Sequence, residues 1–136
     1  MGADLAYIGS AFIATKEAPV YQNVKDTLVK ASELDTRLVI RPLRNTERVL
    51  NNSGVAKILE KEKQLGNGIK FEDIINEVAG VYPKVMVEGD MEAGAWSCGM
   101  VAGLIHDVPT VKELIDRIMR EADEIIAKRL TGALRA

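Results

Sequence analysis

The chain has 136 residues, 47% of them hydrophobic and 28% charged, with a net charge of −2. That make-up fits one soluble globular domain and gives no reason to expect a nucleic acid or an anionic membrane as partner. The one cysteine, Cys98, cannot close an internal disulfide, which suits a reducing, cytoplasmic setting; no apolar run approaches the roughly 18 residues of a membrane helix, and no signal peptide is visible.

Taken in chain order, residues 3–9 read as a strand. Five of the six residues from Ala3 to Ile8 are apolar, without strict alternation, the pattern of a strand covered on both faces of a parallel sheet. Such a strand needs neighbours, and little downstream can pair with it, so the chain is expected to begin inside a fold whose other strands lie upstream. A helix is predicted from about Pro19 or Val20 to Ala31, with Val20, Val24, Leu28 and Ala31 on one face and Pro19 in its first turn. Residues 36–41, β-branched and apolar between two arginines, predict a short strand closed by Pro42.

Beyond it the readings turn helical. Asn45 or Thr46 can cap a helix start, and Asn51-Asn52-Ser53-Gly54 interrupts it before a second helical stretch to about Leu65. Gly66-Asn67-Gly68 is a stop. A short helix is predicted over 71–79 with Ile74, Ile75 and Val78 inward, ended by Gly80; 83–90 reads as a connector with extended character. Asp90 is expected to cap a small-residue helix from Met91 to about Ile105, broken by Asp107-Val108-Pro109. The last helix carries a Thr110/Glu113 capping box and a long apolar stripe, from Val111 through Leu114, Ile118 and Ile125 to Leu130, closed by Gly132.

Two stretches could carry chemistry. Gly9-Ser10 follows the first strand, where glycine lets a phosphate approach the backbone and a serine hydroxyl adds a donor; read alone, it is first a strand-ending turn. Residues 88–103 hold Gly94, Gly99 and Gly103 around Trp96-Ser97-Cys98. Each glycine in a helix gives up about 1 kcal/mol against alanine, which close approach to another helix or to a ligand would compensate. Asp90 and Glu92 read as first-turn caps, and Cys98 as a buried small residue. His106, the single histidine, has no spaced partner for a metal and reads as a surface or capping residue. Arg37, Arg41, Arg44 and Arg48 read as solvated or ion-paired, or else as a phosphate or interface site. No P-loop or dinucleotide fingerprint is present.

Together these pieces resemble the nitronate monooxygenase family, formerly 2-nitropropane dioxygenase. The resemblance lies in Gly2-Ala3-Asp4 through Ile8-Gly9-Ser10, in Ala14-Thr15-Lys16-Glu17, in Arg44-Asn45-Thr46 with Arg48-Val49, and in Gly89-Asp90, Trp96-Ser97 and Gly99-x-x-x-Gly103. It implies an α/β fold class: the C-terminal fragment of a TIM barrel (last strand and last helix) plus a small, mostly helical second domain. Residues 1–19 would be the last barrel strand and loop, 20–105 the small domain, and 106–136 the helix packing on the barrel. The implied cofactor is FMN, its phosphate bound by Gly9 and Ser10, with Ser97 near the substrate. The family's catalytic histidine would lie upstream, leaving no catalytic residue and no metal ligand in this chain, which alone would be inactive. Implied partners are a nitronate or quinone, NAD(P)H, a second copy or the missing N-terminal half. The Trp96–Met100 wording leans toward the nitronate and quinone-reducing branches and away from the enoyl-thioester reductases. A helical interaction module, binding through the last helix without flavin, is the competing reading.

Overall fold

The computed structural model describes residues 5–133. Its α-helices are α1 (Ser10–Ile13), α2 (Gln22–Lys30), α3 (Ser53–Leu65), α4 (Phe71–Ile74), α5 (Val81–Met86), α6 (Val111–Glu124) and α7 (Thr131–Ala133). Strands β1 (Thr36–Val39) and β2 (Glu47–Leu50) pair antiparallel, Thr36 opposite Leu50 and Val39 opposite Glu47. Short 3-10 turns fill Glu33–Asp35, Gly66–Gly68, Ile75–Glu77 and Met100–Leu104, and a π-helical turn over Ile125–Leu130 joins α6 to α7.

Several elements follow directly from local chemistry. In α2, Val24 and Leu28 are one turn apart and fully buried; the helix opens at Gln22, so Pro19 lies ahead of its first turn. In α3, the Asn52 side chain accepts the Val55 amide at 2.8 Å, and Gly66 ends the helix at φ 52, a left-handed conformation that glycine adopts cheaply. The Thr110/Glu113 box forms as predicted: Thr110 Oγ1 accepts the Glu113 amide at 3.1 Å, and the Glu113 carboxylate accepts the Thr110 amide at 2.7 Å.

Other elements depart from expectation. Leu5–Gly9 forms no strand: it takes no regular structure and pairs with no segment among the described residues, Gly9 already lies in the right-handed helical region, and Leu5 and Tyr7 are almost wholly exposed; residues 3 and 4 of that predicted strand lie outside the described residues. Extended backbone becomes a strand only by pairing. Residues 47–50 are the strand β2, not the helix expected to start at Asn45 or Thr46, because β1 supplies the partner. The expected connector 83–90 opens inside α5, where Pro83 sits in the first turn and needs no amide partner. The expected helix 91–105 does not form. Residues 91–95 turn, Ser97 bridges to Val49, and only a 3-10 turn remains at Met100–Leu104. Gly94 explains part of this: its φ is 150, and a Cβ there would stand 2.2 Å from the Glu77 carbonyl oxygen. Asp90 therefore caps no helix, and Glu92 instead receives the Ser53 amide at 2.6 Å, at the start of α3. Gly132 sits within α7 and closes nothing.

The interior has two clusters. One gathers Ala14, Val24, Leu28, Leu50, Val81, Val85, Trp96, Cys98, Ala102 and Ile105; the other gathers Val39, Ile40, Val49, Val55, Ile58, Ile69, Ile74 and Ala95. The partition between them is β2 with residues 95–98. Successive side chains on extended backbone point to opposite faces, so Val49 and Ala95 enter the second cluster while Leu50 and Trp96 enter the first. Full burial of each large aliphatic side chain contributes about 1.5–3 kcal/mol.

The last helix buries little. Leu114 lies in the interior, whereas Ile115, Met119, Ile125, Ile126 and Leu130 are exposed. No helix among the described residues is long and apolar enough to cross a membrane.

Candidate functional site

Gly9 precedes the single turn of α1, and its carbonyl accepts the amides of Phe12 and Ile13 at 2.9 and 3.3 Å. The side a Cβ would occupy at Gly9 is open, with no atom within 4 Å. It borders a groove of about 410 Å³ walled by Ile8, Phe12, Ile13 and Val20. Ser10 points the other way. It is nine-tenths buried, and its oxygen accepts the Gly99 amide at 3.1 Å. The two segments singled out in the sequence, 89 residues apart, are thus joined by one hydrogen bond.

Residues 14–17 hold this corner in place. Thr15 donates to the Phe12 carbonyl at 2.8 Å, and the Lys16 amide donates to Pro109 at 2.9 Å. The Glu17 carboxylate accepts the Val111 amide at 3.1 and 2.9 Å, placing a negative charge at the N-terminus of α6. The Ala14–Glu17 wording therefore has a structural reason: it ties the loop after Gly9 to the final helix.

Ser97 lies on the extended segment beside β2. The Leu50 amide donates to Trp96 at 3.4 Å, and the Cys98 amide donates to Arg48 at 3.0 Å. Ser97 is exposed and sits in a side-chain network: the Tyr82 phenol donates to its oxygen at 2.7 Å, its amide donates to Tyr82 at 2.9 Å, and its hydroxyl donates to the Glu47 carboxylate. Tyr82 and Glu47 were not singled out by sequence. Tyr82 falls between the predicted helix ended by Gly80 and the connector read from residue 83, and Glu47 in a stretch that reads as helix, so neither pattern places them beside position 97. Ser10 and Ser97 share the 97–99 segment but face different surroundings, one interior and one open.

Cys98 is not poised for chemistry. Burial pushes its thiol up to about 11, with the Ser10 hydroxyl pulling slightly the other way. The lowered carboxylates are structural caps or, for Asp107, one half of an ion pair. Glu113 is held down by the Thr110 amide and hydroxyl, Glu92 by Ser53, Asp35 by Ser32, and Asp107 by the Arg117 guanidinium. Asp90 accepts the Glu92 amide at 3.1 Å, so these two acids shape a turn. His106 is exposed, and no cluster of metal-ligating side chains occurs among the described residues.

Comparison with known proteins places this geometry. The chain is 33% identical to FabK from Thermotoga maritima over 92% of its length, with a TM-score of 0.81. A single-residue mutant of the same protein gives 32% identity, again over 92% of this chain, with a TM-score of 0.72. A curated relative from Rhodococcus jostii (strain RHA1), (3aS,4S,5R,7aS)-5-hydroxy-7a-methyl-1-oxo-octahydro-1H-indene-4-carboxyl-CoA dehydrogenase, is 49% identical over 51 residues, 38% of this chain. The chain spans 38% and 36% of the two FabK chains and 14% of the Rhodococcus protein. The family model for nitronate monooxygenase matches residues 1–121, and the chain belongs to the nitronate monooxygenase family.

Proposed function

We propose that this chain is the C-terminal region of an FMN-dependent oxidoreductase on a TIM barrel, with Gly9 and Ser10 at the flavin phosphate and Ser97 toward the substrate. The observation that carries this reading is the Gly99–Ser10 hydrogen bond, which brings the Gly9 loop and the Trp96–Gly99 segment into one wall. The residues fit a phosphate in a particular way. Gly9 has open space beside it, and the amides that open a helical turn have no intrahelical acceptor. The Ser10 oxygen is already engaged, so Gly9 and the main chain would hold the phosphate while Ser10 fixes the neighbouring segment. FMN, when bound, supplies the transfer of a hydride or electron pair. This chain supplies position: Ser97 can donate to a substrate oxygen only by turning its hydroxyl away from Glu47, and Tyr82 keeps the serine oxygen in place meanwhile.

The substrate favoured here is an acyl-CoA thioester, because the Rhodococcus relative is by its name a carboxyl-CoA dehydrogenase. Oxidation of an alkyl nitronate is the second reading, favoured by the family model over residues 1–121. NADH or NADPH would serve as reductant where the reaction is a reduction. The deciding measurement is flavin retention by the chain joined to the barrel portion it does not span. Gly9→Asp is expected to abolish the yellow flavin absorbance, since a carboxylate there repels the phosphate; unchanged retention would remove Gly9 from the site.

A further inference from the structure

The flavin reading leaves the arginine hairpin unused. Residues 36–50 carry Arg37, Arg41, Arg44 and Arg48 against one carboxylate, Glu47, in a chain whose net charge is −2. Among the described residues no carboxylate comes within ion-pair distance of any of the four. Arg37 and Arg48 are pinned by neutral acceptors: Arg37 donates to the carbonyls of Leu34 and Thr36 at 2.6 and 2.9 Å, and Arg48 to the Thr36 hydroxyl at 2.8 Å. Arg41 and Arg44 lie exposed at the tip.

That tip is rigid. The Arg44 amide donates to Arg41 at 3.0 Å and the Asn45 amide to Ile40 at 3.3 Å, closing a tight turn around Pro42. Ile40 is buried, and its amide donates to the Glu62 carboxylate of α3. Ile40 and Arg44 are the two non-glycine residues with positive φ among the described residues, at 62 and 56. Glycine or asparagine would fill the Arg44 position with less strain. An arginine held there, unpaired, projects its guanidinium from a hydrogen-bonded turn.

We propose that this hairpin tip clamps the phosphates of a coenzyme A thioester, an inference that rests on the thioester reading above. Two guanidiniums three residues apart across a closed turn suit a compact phosphate group, which a planar guanidinium grips through paired hydrogen bonds. Pre-ordering of the turn lowers the cost of binding. The same hairpin carries Glu47, whose carboxylate accepts a hydrogen bond from the Ser97 hydroxyl. A thioester whose phosphates rest on the tip therefore runs along β2 toward Ser97.

The test is calorimetric titration of the full chain with coenzyme A and, in parallel, NADPH, which also carries an adenosine phosphate. Arg41→Ala and Arg44→Gly are compared with the wild type, and melting temperatures are recorded alongside. The expected result is coenzyme A binding that weakens at least tenfold in each variant, with Arg44→Gly melting no lower than wild type because the strained position is relieved. Affinity and stability then move apart, which a purely structural arginine would not produce. Coenzyme A binding that both variants leave unchanged overturns the clamp and leaves the thioester reading standing. Binding of NADPH without coenzyme A, or no coenzyme A binding by the wild type, overturns the thioester reading and the clamp with it.

Discussion

Gly94 shows how one residue fixes a segment. A Cβ at this position would meet the Glu77 carbonyl oxygen at 2.2 Å, and one at Gly54 would meet the Gly94 Cα at 2.5 Å. Two backbones cross here, and the Asn52 amide clamps the crossing by donating to the Met91 and Gly94 carbonyls at 2.9 and 2.8 Å. Gly94→Ala is expected to destabilise by about 3 kcal/mol, combining overpacking with a strained φ, measured as a lowered midpoint in urea unfolding. A midpoint equal to wild type would show that the crossing can open without penalty. The glycine was legible as a sign of close approach. Its partner was not, because nothing in residues 88–103 reports that Glu77 lies against them.

At the scale of elements, α6 is the part most fully written in local sequence, and its cap makes a pH prediction. The Glu113 carboxyl is held below its ordinary value by Thr110 and, less strongly, by Lys16. A folded-state value lower than the unfolded one contributes stability that is fully present above the unfolded value, about 4.3 for glutamate, and is lost as pH falls through the folded one. Melting temperature should therefore be flat from neutrality to about pH 5 and fall below that. Glu113→Gln should melt lower near neutrality and show a shallower acid fall. An identical acid limb in the variant would assign the fall to the other lowered carboxylates, the caps Glu92 and Asp35 and the ion-paired Asp107. The hairpin gives the contrasting case. Residues 36–41 read as a strand from their β-branched run, with β1 formed over 36–39 of them, but 47–50 did not, since Thr46-Glu47-Arg48 suits a helix start as well. Pairing with β1 and the bridge from Ser97 to Val49 decide it.

Over the whole molecule, the outer surface carries its own prediction. Ile115, Met119, Ile125, Ile126 and Leu130 form an exposed apolar row, and Ile8, Val101 and Leu104 border a groove of about 480 Å³ beside the same helix. Contiguous exposed apolar surface of this kind promotes association. The isolated chain is expected to self-associate reversibly in sedimentation velocity, and Met119→Asp with Ile126→Asp to shift it toward monomer with stability changed by no more than about 0.5 kcal/mol. A monomer at all concentrations, before any substitution, would count against this row as an interface.

By itself the sequence determined α2, α3 and α6, the capping box that opens α6 and the glycine stop after α3, and it singled out the stretches around Gly9 and Ser97, because helical period, capping and glycine punctuation act within a few residues. The tertiary structure alone decided β2, the unwinding of 91–105, the inward turn of Ser10 and the meeting of Tyr82 and Glu47 at Ser97. Each of those depends on a partner distant in the chain, and strand pairing, close backbone crossing and side-chain networks have no local signature from which to read them.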